Sequence, residues 1–301
     1  MRPTFGTKGT IMRDSIVGLG WFVRRTNDVE GLTRFFRDVV GLPVLREHGG
    51  IAQLWAGEAT VFEIAPGGRP NPEYTDRAQS PSVPIFRVHG IRGTIQRLRD
   101  AGVRFINEFE RDHNHLAYFL DPLGNVTGLQ ERYRTSDRAE DREAWRRCDA
   151  RETRIEGVGP LPPDIQHIGW VVFRSLDVPA QIAFYRDVVG LDIAVSYSDT
   201  NALLSLGDGV LLELSPGSSP QPRPSDRSEV TNTPVLRVRN LDEMVADLKA
   251  KGVHFVNDIF AIPFGRIAYF VDPENHLMGL QERSPESDRV EDVEARRRWG
   301  A

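Results

Sequence analysis

The feature that most constrains this chain is that it says nearly everything twice. "FFRDVVGL" at 35–42 returns as "FYRDVVGL" at 184–191, "AYFLDP" at 117–122 as "AYFVDP" at 268–273, and "GLQER" at 128–132 is repeated unchanged at 279–283. Trp170 follows Trp21 by 149 positions and Gly279 follows Gly128 by 151, so two single-residue insertions separate the copies. A repeat of this length is a duplicated domain, not an array of short units. It extends into the tails, where "SDRAEDREAWRRCDA" after the first copy matches "SDRVEDVEARRRWGA" after the second. Asp137 with Glu140, and Asp288 with Glu291, have the spacing of a helix N-cap and its third-position carboxylate, which predicts two charged surface helices. The expected organisation is a first domain over 1–150 (core 14–132), a Pro/Gly-rich linker over 151–163 and a second domain over 164–301 (core 164–283).

Each copy carries an internal rhythm. In the second, "IQHIGWVVF" at 165–173 reads as a strand, and Asp177 opens a helix that Gly190 ends. Three short strands follow near 192–197, 202–206 and 210–215. After a Pro/Ser-rich loop at 216–232 come a strand at 234–239, a helix with Leu241, Val245 and Leu248 at helical spacing, and strands near 253–259, 266–271 and 277–282. That is βαβββ twice per domain.

"FYRDVVGL", "LRVRNLDEMVADLKAKGV" and "AYFVDPENHLMGL" together resemble the vicinal-oxygen-chelate superfamily, which includes glyoxalase I, extradiol dioxygenases and bleomycin-resistance proteins. The resemblance covers about 14–132 and 164–283. It implies an α+β fold of tandem domains, each with two βαβββ modules curled into an open mixed sheet, helices outside and a site in the cup. It also implies metal ligands at four strand positions. The second copy places His167, Glu213, Thr233 and Gly279 there, and the first places Gly18, Glu63, Val83 and Gly128. A divalent ion needs three or four N/O donors. No resident metal or other cofactor is therefore expected, and if a metal binds, His167 and Glu213 of the second copy are the ligands it would use. His276, His254, His113 and His115 are read as solvated or core histidines outside the cup.

Strand parity adds to this list. Counting by twos from Thr233 gives Arg237, and from Gly279 gives Gln281, so the expected second cup holds His167, Glu213, Thr233, Arg237 and Gln281, with Arg237 paired to Glu213. Glu63, Arg87 and Gln130 are the first-copy counterparts. By the same count Trp21 and Trp170 point to the helices. Trp55, Tyr197 and Phe260 are candidate aromatic walls. His167 is the residue to carry catalysis if the chain is an enzyme.

Composition narrows the partners. With 38 basic and 43 acidic residues and a net charge of -5, the chain offers no basic face to a phosphate backbone, so nucleic acid is not expected. It has no 18-residue apolar run, no apolar signal core in "MRPTFGTKGTIMRDS", and one cysteine, Cys148. The expectation is a cytoplasmic, unanchored protein binding a small molecule, with a homodimer as an allowed assembly. The alternatives are a metal-dependent lyase or dioxygenase working in the second cup, or a filled pseudo-enzyme whose surface binds a protein.

Overall fold

The structure is a computed structural model that describes residues 15–136, 142, 158–218 and 220–300. The first module is β1 (Ile16–Thr26), α1 (Val29–Arg34, continuing as a π-helical turn Phe35–Val40), β2 (Val44–His48), β3 (Ile51–Trp55) and β4 (Val61–Pro66). The second is β5 (Ser82–Val88), α2 (Ile91–Asp100), β6 (Phe105–Arg111), β7 (Asn114–Leu120) and β8 (Val126–Arg132). The third is β9 (Ile165–Ser175), α3 (Val178–Ala183, with a π-helical turn Phe184–Val189), β10 (Ile193–Ser198), β11 (Asn201–Ser205) and β12 (Leu211–Pro216). The fourth is β13 (Asn232–Val238), α4 (Leu241–Ala250), β14 (His254–Phe255), β15 (Phe260–Ile262), β16 (Gly265–Val271) and β17 (Leu277–Arg283), and α5 (Val290–Trp299) follows it.

Local chemistry places the helix ends. The Asp28 carboxylate accepts from the Gly31 amide and Asp177 from the Ala180 amide, which caps α1 and α3. Both π-helical turns stop at a glycine in the left-handed region, Gly41 (φ 99°) and Gly190 (φ 87°), where a side chain would be strained.

The fold is α+β with two curled mixed sheets, and the sheets do not follow the repeats. One runs β14-β16-β17-β13-β1-β4-β3-β2, with β15 paired to β16, and the other β10-β11-β12-β9-β5-β8-β7-β6. Each sheet therefore takes one module from each copy: the first with the fourth, the second with the third. Antiparallel pairing of β1 with β13 and of β5 with β9 makes the two joins. Sequence could not reveal this, because two copies of one module present the same edge and the repeat does not say which copy pairs with which.

The loops at 67–81 and 217–231 carry the chain from sheet to sheet and bind one another, Gly68 N–H donating to the Ser228 carbonyl and Ser218 N–H to that of Ala78. One large apolar cluster draws Phe22, Phe62, Phe86, Phe173, Leu212 and Leu280 from all four modules and unites both sheets with the helices. Two smaller clusters occupy the other faces, one around Trp21, Tyr269 and Phe264 and one around Trp170, Tyr118 and Leu203. These faces are the first and second cups.

The tails depart from expectation. Of the helix expected after the first copy, only Arg142, which is helical, lies among the described residues. Helix α5 is capped at Arg289, not at Asp288, and its Glu291, Asp292 and Ala295 are fully buried, so it is not a solvated surface helix.

Candidate functional site

The crossed pairing redistributes the expected site residues. His167 lies opposite Arg87, and Arg87 lies beside Gln130, so these three share the second sheet with Glu213. Thr233, Arg237 and Gln281 lie on the first sheet with Glu63 and Gly18. The grouping of Arg237, Thr233 and Gln281 with His167 and Glu213 is thereby corrected, as is the Arg237–Glu213 ion pair. Arg237 instead donates from Nη1 to Asp292 Oδ1 at 3.0 Å.

His167 and Glu213 share a sheet without meeting. The neighbour of Glu213 on β9 is Val172, five residues beyond His167, a separation of roughly 15 Å along a strand. His167 is buried at a seam where the opposite sheet's β3–β4 turn presses in. A Cβ at Gly57 would fall 2.7 Å from His167 Cβ, and Ile168 N–H donates to the Ala56 carbonyl. The pseudo-symmetric contact sets Gly207 against Val17 and Gly18, where a Cβ would lie 2.8 Å from the Gly18 nitrogen.

Both tryptophans face the cups, not the helices. The pairing skips Gly20 between Leu19 and Trp21, and Gly169 between Trp170 and Ile168. A bulged residue breaks the alternation that the count by twos assumed, and glycine accommodates it. The Gly-Trp retained in "GLGW" and "HIGW" is thus a bulge followed by a cup-lining indole.

The second cup holds a cavity of about 460 Å³. Trp170, Tyr118 and Phe109 form apolar walls, Tyr197 reaches it from β10, and Glu213, Arg174 and Arg77 bring charge. Arg174 is 3% exposed; its Nη1 donates to Ser215 Oγ at 2.5 Å, and its Nε and Nη2 have no hydrogen-bond partner among the described residues. Burial pulls the Arg174 pKa down, opposed by the Glu213 carboxylate. The Arg77 guanidinium stands 4.9 Å from the ring centroids of both Phe109 and Tyr118 and donates to the Tyr118 hydroxyl at 3.1 Å. Arg174, Arg77, Tyr118 and Trp170 were not among the site residues expected from sequence. His113, expected outside the cup, lines this cavity.

The first cup uses the same plan and closes it. Glu63 accepts from Gln53 Nε2 at 2.6 Å, Arg25 Nε donates to the Arg227 carbonyl, and Arg227 covers the Phe260 ring at 4.6 Å. Burial holds the Glu63 carboxyl above its usual range, with Gln53 opposing. Where the second cup has His113, Arg111 and Leu203, the first has Phe264, Ile262 and Gln53. Phe264 packs edge-on against Trp21, centroids 5.3 Å apart. Trp55 belongs to neither cup: it is a core residue whose indole N–H donates to the Glu58 carbonyl.

Comparison with known proteins fits this architecture. A family model described as Glyoxalase/Bleomycin resistance protein/Dioxygenase superfamily matches residues 18–129 and 167–280. The chain belongs to that superfamily. Among solved structures, a Bacillus subtilis protein described as a candidate dioxygenase is similar over 93% of this chain and 90% of its own, with 17% identity and a TM-score of 0.65. Glyoxalase I from Zea mays is similar over 93% of this chain and 95% of its own, with 14% identity and a TM-score of 0.58. At these identities the likeness is one of fold. A search of curated proteins returns no match.

The metal chemistry that the superfamily implies does not fit the side chains present. Among the described residues, no three His, Cys, Asp or Glu side chains gather where they could hold an ion. The eighth-strand position has no room for a donor. A Cβ on Gly128 would meet Ile85 Cγ1 at 2.8 Å and Tyr118 at 3.1 Å, and one on Gly279 would meet Val235 at 2.8 Å and Tyr269 at 2.9 Å. Gly128→Ala is accordingly expected to cost about 1–3 kcal/mol through overpacking, read as a lower urea midpoint with an unchanged slope.

His276, read from sequence as a solvated or core histidine, is buried. Its Nδ1 lies 2.8 Å from Asp272 Oδ2, its ring stacks on Phe173 at 4.6 Å, and the Tyr185 hydroxyl donates to the same carboxylate at 2.9 Å. Burial opposes protonation of His276, but the Asp272 carboxylate outweighs it and raises the pKa. The stabilisation is therefore full below the unfolded value of about 6.5 and is lost as pH rises through the folded value. The thermal midpoint should fall across that range, and His276→Gln should flatten the fall.

Proposed function

We propose that this protein binds a small molecule in the second cup without a resident divalent metal. The ligand is a compact aromatic molecule carrying an anionic group. The observation that carries this reading is the Arg174 guanidinium, buried with two N–H groups unmet by the described residues, beside an open aromatic-walled cavity. A buried cation with unmet donors is costly, and an anion that accepts from both donors offsets that cost. Trp170, Tyr118 and Phe109 supply the stacking surface a flat ligand needs. Glu213 disfavours a second negative charge, which selects for a single anionic group.

The test is ligand-observed NMR and thermal shift against a panel of aromatic carboxylates, 2-naphthoate among them, after exhaustive EDTA treatment and with metal content measured. Binding that persists in metal-depleted protein supports the reading. Binding that appears only when Fe, Mn, Ni or Zn is restored would overturn it.

A further inference from the structure

In the first cup the chain binds itself. Glu291 accepts both Nη atoms of Arg46, at 2.8 and 2.7 Å. Asp292 accepts from Arg237 Nη1 at 3.0 Å, from Ser287 Oγ, and from Arg283 Nη2. Both carboxylates are fully buried, while the Arg237 and Arg283 side chains are 3% and 5% exposed. Beneath them Gln281 is 0% exposed, and neither its Nε2 nor its Oε1 has a hydrogen-bond partner among the described residues. Gln281 is the register partner of Arg237, and a Cβ on Gly20 would lie 3.5 Å from Gln281 Oε1 and 3.7 Å from Arg237 Cβ, so all three share one floor.

A floor of buried arginines and an amide with unmet bonds, lidded by two adjacent carboxylates, has the chemistry of a dianion receptor with an internal occupant. We propose that the first cup is a dicarboxylate-binding site held closed by the chain's own helix α5, with Glu291 and Asp292 standing where the ligand's two carboxylates bind. Two carboxylates are specified because Arg46 serves one and Arg237 with Arg283 serves the other. A tethered occupant competes at an effective concentration of order millimolar, so simple dianions at low millimolar concentration leave the wild type closed.

The test compares wild type with Glu291→Ala/Asp292→Ala, using malonate and succinate as probes and sodium chloride at matched ionic strength as control. The variant is expected to melt lower, and either dicarboxylate should raise its midpoint beyond the salt control, with calorimetric affinity at least ~10-fold tighter than for wild type. Adding Arg237→Gln should remove that gain. A folded variant that takes up neither probe beyond chloride would overturn the proposal. If the double alanine variant does not fold, Glu291→Gln/Asp292→Asn is read by hydrogen exchange over residues 286–300. Faster exchange that malonate slows supports the site, and exchange indifferent to malonate contradicts it.

Discussion

Arg24→Ala is expected to destabilise the protein by roughly 3–5 kcal/mol, the range for removing one partner of a buried ion pair, and to lower the thermal midpoint by about 10 °C. Arg24 is fully buried. Its Nη1 reaches Asp121 Oδ2 at 3.1 Å and Thr127 Oγ1 at 2.8 Å, its Nη2 the Val126 carbonyl at 3.0 Å and its Nε Asn232 Oδ1 at 3.0 Å. One side chain of the first module thereby ties down residues of the second and fourth, and so spans both sheets. The opposite half solves the same problem otherwise, with Phe173, Tyr185 and His276 at the positions of Arg24, Phe36 and Asn125 around Asp272. Transplanting that solution, Arg24→Phe with Phe36→Tyr and Asn125→His, should recover most of the loss in urea titrations. Failure of both the large loss and the recovery would mean that the crossed pairing does not depend on this anchor.

Arg174→Met is expected to weaken aromatic carboxylate binding by about 100-fold, since two charge-assisted hydrogen bonds of about 1.5–3 kcal/mol each disappear and are only partly replaced by water. Stability should change far less than for Arg24→Ala. Among the described residues the guanidinium makes one hydrogen bond, to Ser215, and Glu213 borders the open cavity. Arg174→Lys should fall between, because an ammonium cannot present the planar pair of donors. Arg25→Met, the equivalent change in the first cup, should leave binding unchanged by isothermal titration.

What the sequence revealed and what it hid have separable causes. The βαβββ modules were legible because helix caps, stop glycines and strand parity are local. That the family's ligand positions hold non-ligating residues was legible from residue identity alone, through Thr233, Gly279, Val83 and Gly128, whereas the distance between His167 and Glu213 was not. The partnership of modules was not, since two copies of one strand are interchangeable partners until the chain's path between them is known. That ambiguity grouped Arg237 and Gln281 with His167, whereas in the fold they are register partners on the other sheet and Arg237 donates to Asp292. Parity failed at Gly20 and Gly169, where a bulge reverses the count and turns Trp21 and Trp170 inward. Arg174 was present in the repeat, matching Arg25, yet nothing local marks a residue whose importance is a pair of unmet donors.

On the proposed function, the open ligand site is the second cup, built by the second and third modules around Arg174 and Trp170. The most direct measurement is a difference electron density map from metal-depleted crystals soaked in 2-naphthoate. The expected result is ring density between Trp170 and Tyr118, with the carboxylate on Arg174 Nε and Nη2. Density confined to the first cup beside Trp21 and Glu63, or a second-cup pose whose carboxylate turns away from Arg174, would contradict it.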